Sequence, residues 1–541
     1  MPMKNTRVGS AKNYQFSEVP RANIRRSTFN RSHGYKTTFN SGELIPVFFE
    51  EALPGDSFNV NMTAFARLST PINPTMDNLR MQTHFFAVPL RLLWEDFEEF
   101  MGETKTYKAA GATRLDGTPD FTVAAPIPPT ITAGVSGEAE LGLSDYLSIP
   151  TKVASLEFSA LFHRAYYKIF NDWWRDENLQ APLDYPLTSG ADATTYEVQK
   201  RNKIHDYFSS ALPWPQKGAD VALPLGTSAP IKVQQFAGTS ALDDKYFGIE
   251  GGTTHYSESL FGNATENTLT GKVDIVSGDN ANLYTDLTSA TAATINSLRL
   301  AFATQRYLEK NALGGSRYIE IILNHFGVSS PDSRLQRSEF LGSGTSLINI
   351  SPIAQTSSTD AVSPQANLSA IGTGLIQGHG FTKSFTEHSI VIGLVSARPD
   401  VTYGQGLNKM FSRSTVYDYY WPTLANIGEQ AILNKEIYAQ GTAADETVWG
   451  YQSQYSEYKY KPSMVTGKFR SNATGTLESW HYAQEYSSLP VLGEAWLQVT
   501  DTNVARTLAV QSEPQLIFDS LFNFKATRPM AMEARPGGLT F

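Results

Sequence analysis

The chain contains no cysteine, which removes disulfide bridges and thiolate-bound metals and so excludes a small stapled scaffold. Eighteen consecutive apolar residues occur nowhere, so no membrane-spanning helix and no membrane insertion is expected. The first residues, MPMKNTRVGSAKNYQF, lack the apolar run of a signal peptide, and no export signal is expected. Charge is scarce as well. Only 18% of the residues are Asp, Glu, Lys or Arg, against roughly 25% in an ordinary soluble domain. Aromatics reach 12%. Sparse charge with many rings is the composition of a chain whose nominal surface is buried against neighbours, because interface cores lose charge and gain Tyr, Trp and Phe. A single large aromatic-rich β domain would show the same totals.

What charge there is lies unevenly. The whole chain of 541 residues carries −9. Residues 1–40 hold eight Lys or Arg against the single acid Glu18, a net +7, which leaves −16 for the rest. This segment has no apolar periodicity, and it reads as an extended basic arm without a core of its own. Arg21, Arg25, Arg26, Arg31 and Lys36 are interleaved with Phe29, Tyr35 and Phe39. Guanidinium groups pair with phosphates and rings stack on unpaired bases, so the arm is built like a sequence-tolerant binder of single-stranded nucleic acid. The alternative is an arm that crosses subunits and pairs with the acidic body of a neighbour. At the opposite extreme, residues 219–292 carry nine acids and three lysines, and no arginine occurs from Asn202 to Leu298. Gly, Thr, Ser and Asn dominate there. The segment reads as an insertion facing solvent, to which Phe236, Tyr246, Phe247, Tyr256 and Phe261 give material to pack; a long disordered loop is the alternative.

Between these extremes the chain reads as β structure. Phe58, Val60, Met62, Ala64, Ala66 and Leu68 alternate with mostly polar residues, the pattern of a strand with one buried face. LIPVFFEEA at 44–52 precedes it, joined by the turn Leu53-Pro54-Gly55-Asp56. Leu79 to Val88 resumes the alternation, and Pro89 closes it. Helical spacing appears over 91–101, over 155–176 (Phe158, Leu161, Phe162, Ala165, Ile169, Trp173) and from about Thr294 to Ala312. From 316 onward short strand-like runs are separated by Gly, Pro, Ser and Asn. Many irregular strands with long connections indicate a Greek-key sandwich. No internal repeat is present, which argues against propellers and solenoids.

Catalytic constellations are missing. The nine histidines form no HExxH or other close metal spacing, and neither a GxSxG elbow nor a P-loop occurs. Gly372, Gly374 and Gly378 fall one residue off the dinucleotide fingerprint, with no βαβ unit around them, and read as loop glycines. His163 and His84 read as packed residues, and His379 and His388 as surface or interface residues. No cofactor and no metal is expected. A carbohydrate-active β-sandwich using Trp173, Trp174 and Trp421 as sugar platforms, and a free single-strand DNA-binding protein, are the competing readings.

Seven blocks carry a resemblance: RSTFNRSHGYKTTFNSGELIPVFFEEALPGDSFNV (26–60), TPINPTMDNL (70–79), FFAVPLRLLWEDFEEFMGE (85–103), FNDWWRDENLQ (170–180), HDYFSSALPWPQKG (205–218), VWGYQSQYSEYKYKPSMVTGKFR (448–470) and TRPMAMEARPGG (527–538). Together, in this order over almost the whole chain, they resemble the major capsid protein of gokushoviruses, small single-stranded DNA phages of the Microviridae. The resemblance implies a mainly β fold, an eight-stranded jelly-roll barrel of viral capsid type with long loops, a few short helices and one large insertion. Its parts would be the arm 1–40, jelly-roll segments 41–218 and 293–541, and the insertion 219–292 as an outward protrusion at the three-fold axis, with Asp243, Asp244, Tyr246, Tyr256 and Phe261 as its host-contact residues. It further implies a non-enzymatic protein of the virion, assembled in the host bacterial cytoplasm. The implied partners are copies of the chain in a small icosahedral (T=1) shell, a circular single-stranded DNA genome, a small basic DNA-packaging protein, a scaffolding protein and a host surface receptor.

Overall fold

The longest run of strict alternation becomes the central strand of the fold. In the computed structural model Ser57–Leu68 is a twelve-residue strand whose even-numbered residues are buried and odd-numbered ones largely exposed. The structure describes residues 25–101, 126–218, 231–233, 283–285, 295–313, 324, 336–357, 359 and 364–532. Nine strands form its main sheet system: β1 (Ser27–Asn30), β2 (His33–Phe39), β3 (Ile45–Ala52), β4 (Ser57–Leu68), β5 (Leu79–Pro89), β6 (Glu339–Ala354), β7 (Leu368–Ser384), β8 (Ser389–Pro399) and β9 (Leu516–Arg528). All of their pairings are antiparallel.

The order is β1 or β2, then β9, β4, β7, β6, β5, β8 and β3. β1 and β2 share one strand position, lying end to end along β9. β6 serves two neighbours: Glu339–Ile348 pairs with β5 and Asn349–Ala354 with β7. The system therefore bends at β6 into two four-stranded sheets, β2-β9-β4-β7 and β6-β5-β8-β3. That is the eight-stranded jelly roll, with Greek-key order throughout. Inward residues of both sheets make one core, including Phe48, Phe58, Phe85, Phe381, Phe518, Phe522 and Phe524. Stacked sheets leave about 10 Å between them, a gap that rings of this size fill.

The two sheets differ on their outer faces. β8 reads SIVIGLVSARP and is buried at nearly every position, as in a strand covered on both sides. Its outer face and that of β5 lie under α1 (Leu161–Trp173). The buried face of α1 includes His163, Arg164, Tyr166 and Tyr167, which the apolar spacing alone does not mark. The outer face of β9, β4 and β7 stays open instead, with Phe65, Leu375, Ile517 and Leu521 exposed.

Several expectations need correction. Strand structure begins at Ser27, inside the segment read as a coreless arm, and Phe39 is fully buried in the core. The helix expected over 91–101 is two short turns, Leu90–Leu92 and Phe97–Phe100. Gly372, Gly374 and Gly378 are not in a loop but in β7. They are needed there for close approach and curvature. A Cβ on Gly372 would stand 2.7 Å from that of Leu68, and Gly378 has φ +75° at the bulge between Ile376 and His379. Gly380, just beyond, leaves no room at all, since a Cβ would run into the Val60 carbonyl oxygen. Gly380→Ala is expected to cost about 3 kcal/mol by parting β7 from β4. Urea unfolding checks this; a midpoint unchanged from wild type counts against the pairing.

The chain forms two compact units, Met1–Pro215 with Gly314–Phe541 and Gln216–Leu313. In the second, Ile231–Val233 pairs with Leu283–Thr285, and α2 (Ile295–Leu313) follows.

Candidate assembly and genome-contact surfaces

The sequence-predicted cations meet different fates. Arg21 lies outside the described residues. Arg25 is exposed. Arg26 donates to the Gly55 carbonyl and, at 3.0 Å, to Ser57 Oγ. Arg31 pairs with Glu50 at 2.6 Å and lies over the Phe524 ring, 5.7 Å from its centre. Lys36 stands 3.4 Å from Asp519 across β2 and β9, with both side chains largely in water, where such a pair contributes little. Of the interleaved rings, Phe39 is in the core and the Tyr35 hydroxyl donates to the Tyr146 carbonyl at 2.8 Å. Those two rings are therefore not available as stacking platforms. Asp243, Asp244, Tyr246, Tyr256 and Phe261 lie outside the described residues.

A different surface stands out, one that composition hinted at without placing. Phe411, Val416, Tyr417, Tyr419, Tyr420, Trp421, Tyr458, Tyr460 and Met464 are all exposed, Tyr417 to 72% and Phe411 to 71%. Local chemistry holds them in place. Asp418 Oδ2 accepts from the backbone N–H groups of Ser414 and Thr415 at 2.8 and 2.7 Å. Trp421 Nε1 donates to the Val416 carbonyl at 3.0 Å. The Arg413 guanidinium sits 4.4 Å from the Tyr458 ring centre and 5.2 Å from that of Tyr419, with Glu457 at 3.5 Å. Exposed, fixed aromatic clusters mark protein contact sites, because rings desolvate large area at small entropic cost. Trp173 is also partly exposed, but it packs against Phe340 and donates to the Ser338 carbonyl at 3.0 Å.

Two cavities were candidates for chemistry. One of about 230 Å³ is lined by Ser144, His163, Asp192 and Tyr196 among others. Ser144 Oγ and His163 Nε2 are 3.0 Å apart, and burial pushes the imidazole down to about 4 against the opposing pull of Asp192. Asp192, however, is bonded to Arg164, Thr194 and Tyr196, and His163 Nδ1 has no partner. Without an acid to orient the ring, this is no relay. The other cavity, about 190 Å³, lies among Tyr207, Tyr403, Glu436 and Met464. His379 is buried, 2.8 Å from Thr83 Oγ1, not at the surface. Among the described residues no group of three or more acidic or histidine side chains is placed to hold a metal ion. No helix among them is long and apolar enough to cross a membrane.

A jelly roll with open aromatic surfaces, and with no catalytic centre among the described residues, matches the outcome of comparison with known proteins. The model of the family described as Capsid protein (F protein) covers residues 17–538. The chain belongs to this phage capsid family. Capsid protein VP1 of Chlamydia phage 1 is 42% identical over 99% of both chains. Its counterpart from Bdellovibrio phage phiMH2K is 43% identical over 98% of this chain and 99% of its own. That of Spiroplasma virus 4 is 37% identical over 98% of each. The resemblance to gokushovirus capsid proteins therefore stands. This capsid protein is a structural component of the virion that self-assembles into a shell, and it is not an enzyme.

Proposed function

We propose that this capsid protein closes into a small T=1 icosahedral shell around a circular single-stranded DNA phage genome. The observation that carries the reading is the rigid exposed aromatic cluster at 411–421 and 458–464 on a jelly-roll body. A monomer leaves so many rings in water at a cost, whereas a closed shell buries them. The basic N-terminal segment, with Arg21, Arg25, Arg26, Arg31 and Lys36, meets the genome through phosphate pairing. The acidic insertion 219–292 projects outward at the three-fold axes, and Asp243, Asp244, Tyr246, Tyr256 and Phe261 take part in host contact. A scaffolding protein guides assembly in the bacterial cytoplasm, and a small basic protein helps to condense the DNA.

Electron microscopy of the chain co-expressed with its companion scaffold tests this. Uniform closed particles with knobs on the three-fold axes are expected. Monomers alone under all conditions overturn the shell geometry. Tyr417→Ala combined with Trp421→Ala is expected to reduce particle yield at least tenfold, since truncating two central rings removes about 4 kcal/mol of contact energy. Sedimentation measures the yield, and full assembly of the double variant would remove the cluster from the interface.

A further inference from the structure

The outer face of the β5–β8 pair carries a group of polar atoms that the shell reading does not use. On β5, Arg80, Gln82 and His84 point to this face, directly opposite Arg398, Ser396 and Leu394 of β8. Three atoms within this small area are buried and have no hydrogen-bond partner: Gln82 Oε1, His84 Nδ1 and Arg398 Nε. Arg201, whose residue is only 9% exposed, enters from the segment after α1 and donates to Ser396 Oγ at 2.9 Å. Its guanidinium thus lies over the rung that separates His84 from Arg398. The Trp174 ring, edge-on to His84 at 5.4 Å, closes one side. Ser343 and Thr345 on β6 are exposed and leave the other side open.

The charges do not balance. Arg80 occupies the neighbouring carboxylate, holding Asp400 through Nε at 2.7 Å and Nη2 at 3.1 Å. Arg201 makes no ion pair with any described carboxylate, and Arg398 none either. Burial, and then the field of Arg398, pushes Arg201 down to about 9. Burial also lowers Arg398 to about 10, although Asp400 opposes it. Burial and the two guanidiniums hold His84 at about 3, so its ring is neutral at pH 7. Ordered water would satisfy the three open atoms but would leave two desolvated like charges facing each other, a costly arrangement.

We propose that this face holds a phosphate-group site, in which the guanidiniums of Arg201 and Arg398 clasp the oxyanion above Gln82, His84 and Ser396. A tetrahedral group offers oxygens to two forks that approach from different directions, whereas a planar carboxylate is satisfied by one. His84 donates one ring N–H. Gln82, whose Nε2 already donates to Thr345 Oγ1 at 2.9 Å, accepts from a P–OH. Inorganic phosphate carries that hydroxyl in both of its forms near pH 7 and a terminal phosphate carries it as the monoanion, whereas an internal DNA phosphodiester has none. The site stands apart from the shell reading, which survives its failure.

Titration calorimetry of the full chain with inorganic phosphate, at ionic strength matched with chloride, tests the site. Saturable binding is expected, and Arg398→Gln and Arg201→Gln should each weaken it at least tenfold. A 5′-phosphorylated oligo(dT) should bind through the same residues, and the unphosphorylated oligo(dT) should not depend on them. Arg398→Met separates a ligand site from a strut: its melting temperature without phosphate should equal or exceed that of wild type, while the rise that phosphate gives to wild type disappears. Absence of saturable binding, or binding unchanged in both Gln variants, overturns the proposal. So does equal binding of acetate, which would favour a carboxylate from a second copy of the chain. Melting of Arg398→Met well below wild type without phosphate would show a structural role instead.

Discussion

Arg164→Ala is expected to destabilise the subunit by about 3–5 kcal/mol, the range for an ion stranded in a protein interior. The Arg164 and Asp192 side chains are 1% and 0% exposed, with Nε 2.9 Å from Oδ2. The guanidinium also donates to the carbonyls of Leu93 and Thr188, at 3.1 Å each. It therefore ties α1 to the two stretches of chain that wrap around it. Losing the cation leaves Asp192 buried with hydrogen bonds but no counter-charge. Arg164→Met with Asp192→Leu should lose less than Arg164→Ala, because no charge is stranded. Urea midpoints of the three proteins decide; a double variant worse than the single one would show that the bonds to Leu93, Thr188 and Tyr196 outweigh the charge.

The same pair predicts an acid response. Burial pushes the Asp192 carboxyl up, but the hydrogen bonds from Thr194, Arg164 and Tyr196 outweigh it and hold the group below its ordinary value. A carboxylate with a depressed folded pKa contributes stability above its unfolded pKa, near 3.9, and loses it as pH falls through the folded value. Stability is thus expected to be level on this account from pH 7 to about 5 and to fall below about 4. Arg164→Ala should flatten that fall, which denaturant melts at successive pH values measure.

Phe48→Ala is expected to cost a further independent 3–5 kcal/mol, typical of a phenylalanine lost from a packed core. Phe48 is on β3, at the edge of one sheet, yet its ring lies 5.2 Å from Phe522 and 5.5 Å from Phe524 of β9 in the opposite sheet. Phe85 and Phe381 stand at 6.2 and 6.4 Å, and the His33 ring stacks at 5.9 Å. One ring therefore bridges the gap between the sheets, and no neighbour can close the void without moving a strand. Phe48→Leu should recover more than half of the loss. An alanine variant within 1 kcal/mol of wild type would mean that the sandwich collapses onto the cavity.

Much of the jelly roll is legible in sequence where one face is buried and the other wet. The alternation over 57–68 marks every core residue of β4 correctly, and the turn at 53–56 forms with Asp56 N–H donating to the Leu53 carbonyl at 2.9 Å. It fails where the partner is distant or the residue has no side chain. β1 pairs Ser27 with Arg528, so the polar start of the chain is a strand only because its end lies beside it. Glycines in β7 carry no hydropathy and look like loop, although their lack of a Cβ is what lets the strands meet. Arg164 sits in an apolar helix, and its acid is 28 residues away. The aromatic surface was signalled by composition, but which rings are exposed depends on turns closed by Asp418 and Trp421. Arg201, Gln82 and Arg398 come together only through topology.

The pairing of the first strands with the last also sets a timetable. β4 presents the edge that Leu516 and its successors will cover, Leu68 facing Leu516, yet the ribosome makes those residues nearly 450 positions later. At about 5–20 residues per second that interval is roughly 20–90 s. Throughout it the nascent chain carries an unpaired strand edge with half-open core residues beside it, the kind of template that recruits stray strands. The sheet closes only once β9 has been made, so its core is completed late. An interrupted chain lacking β9 offers no finished body to the growing shell, which makes that strand a checkpoint on what enters the particle.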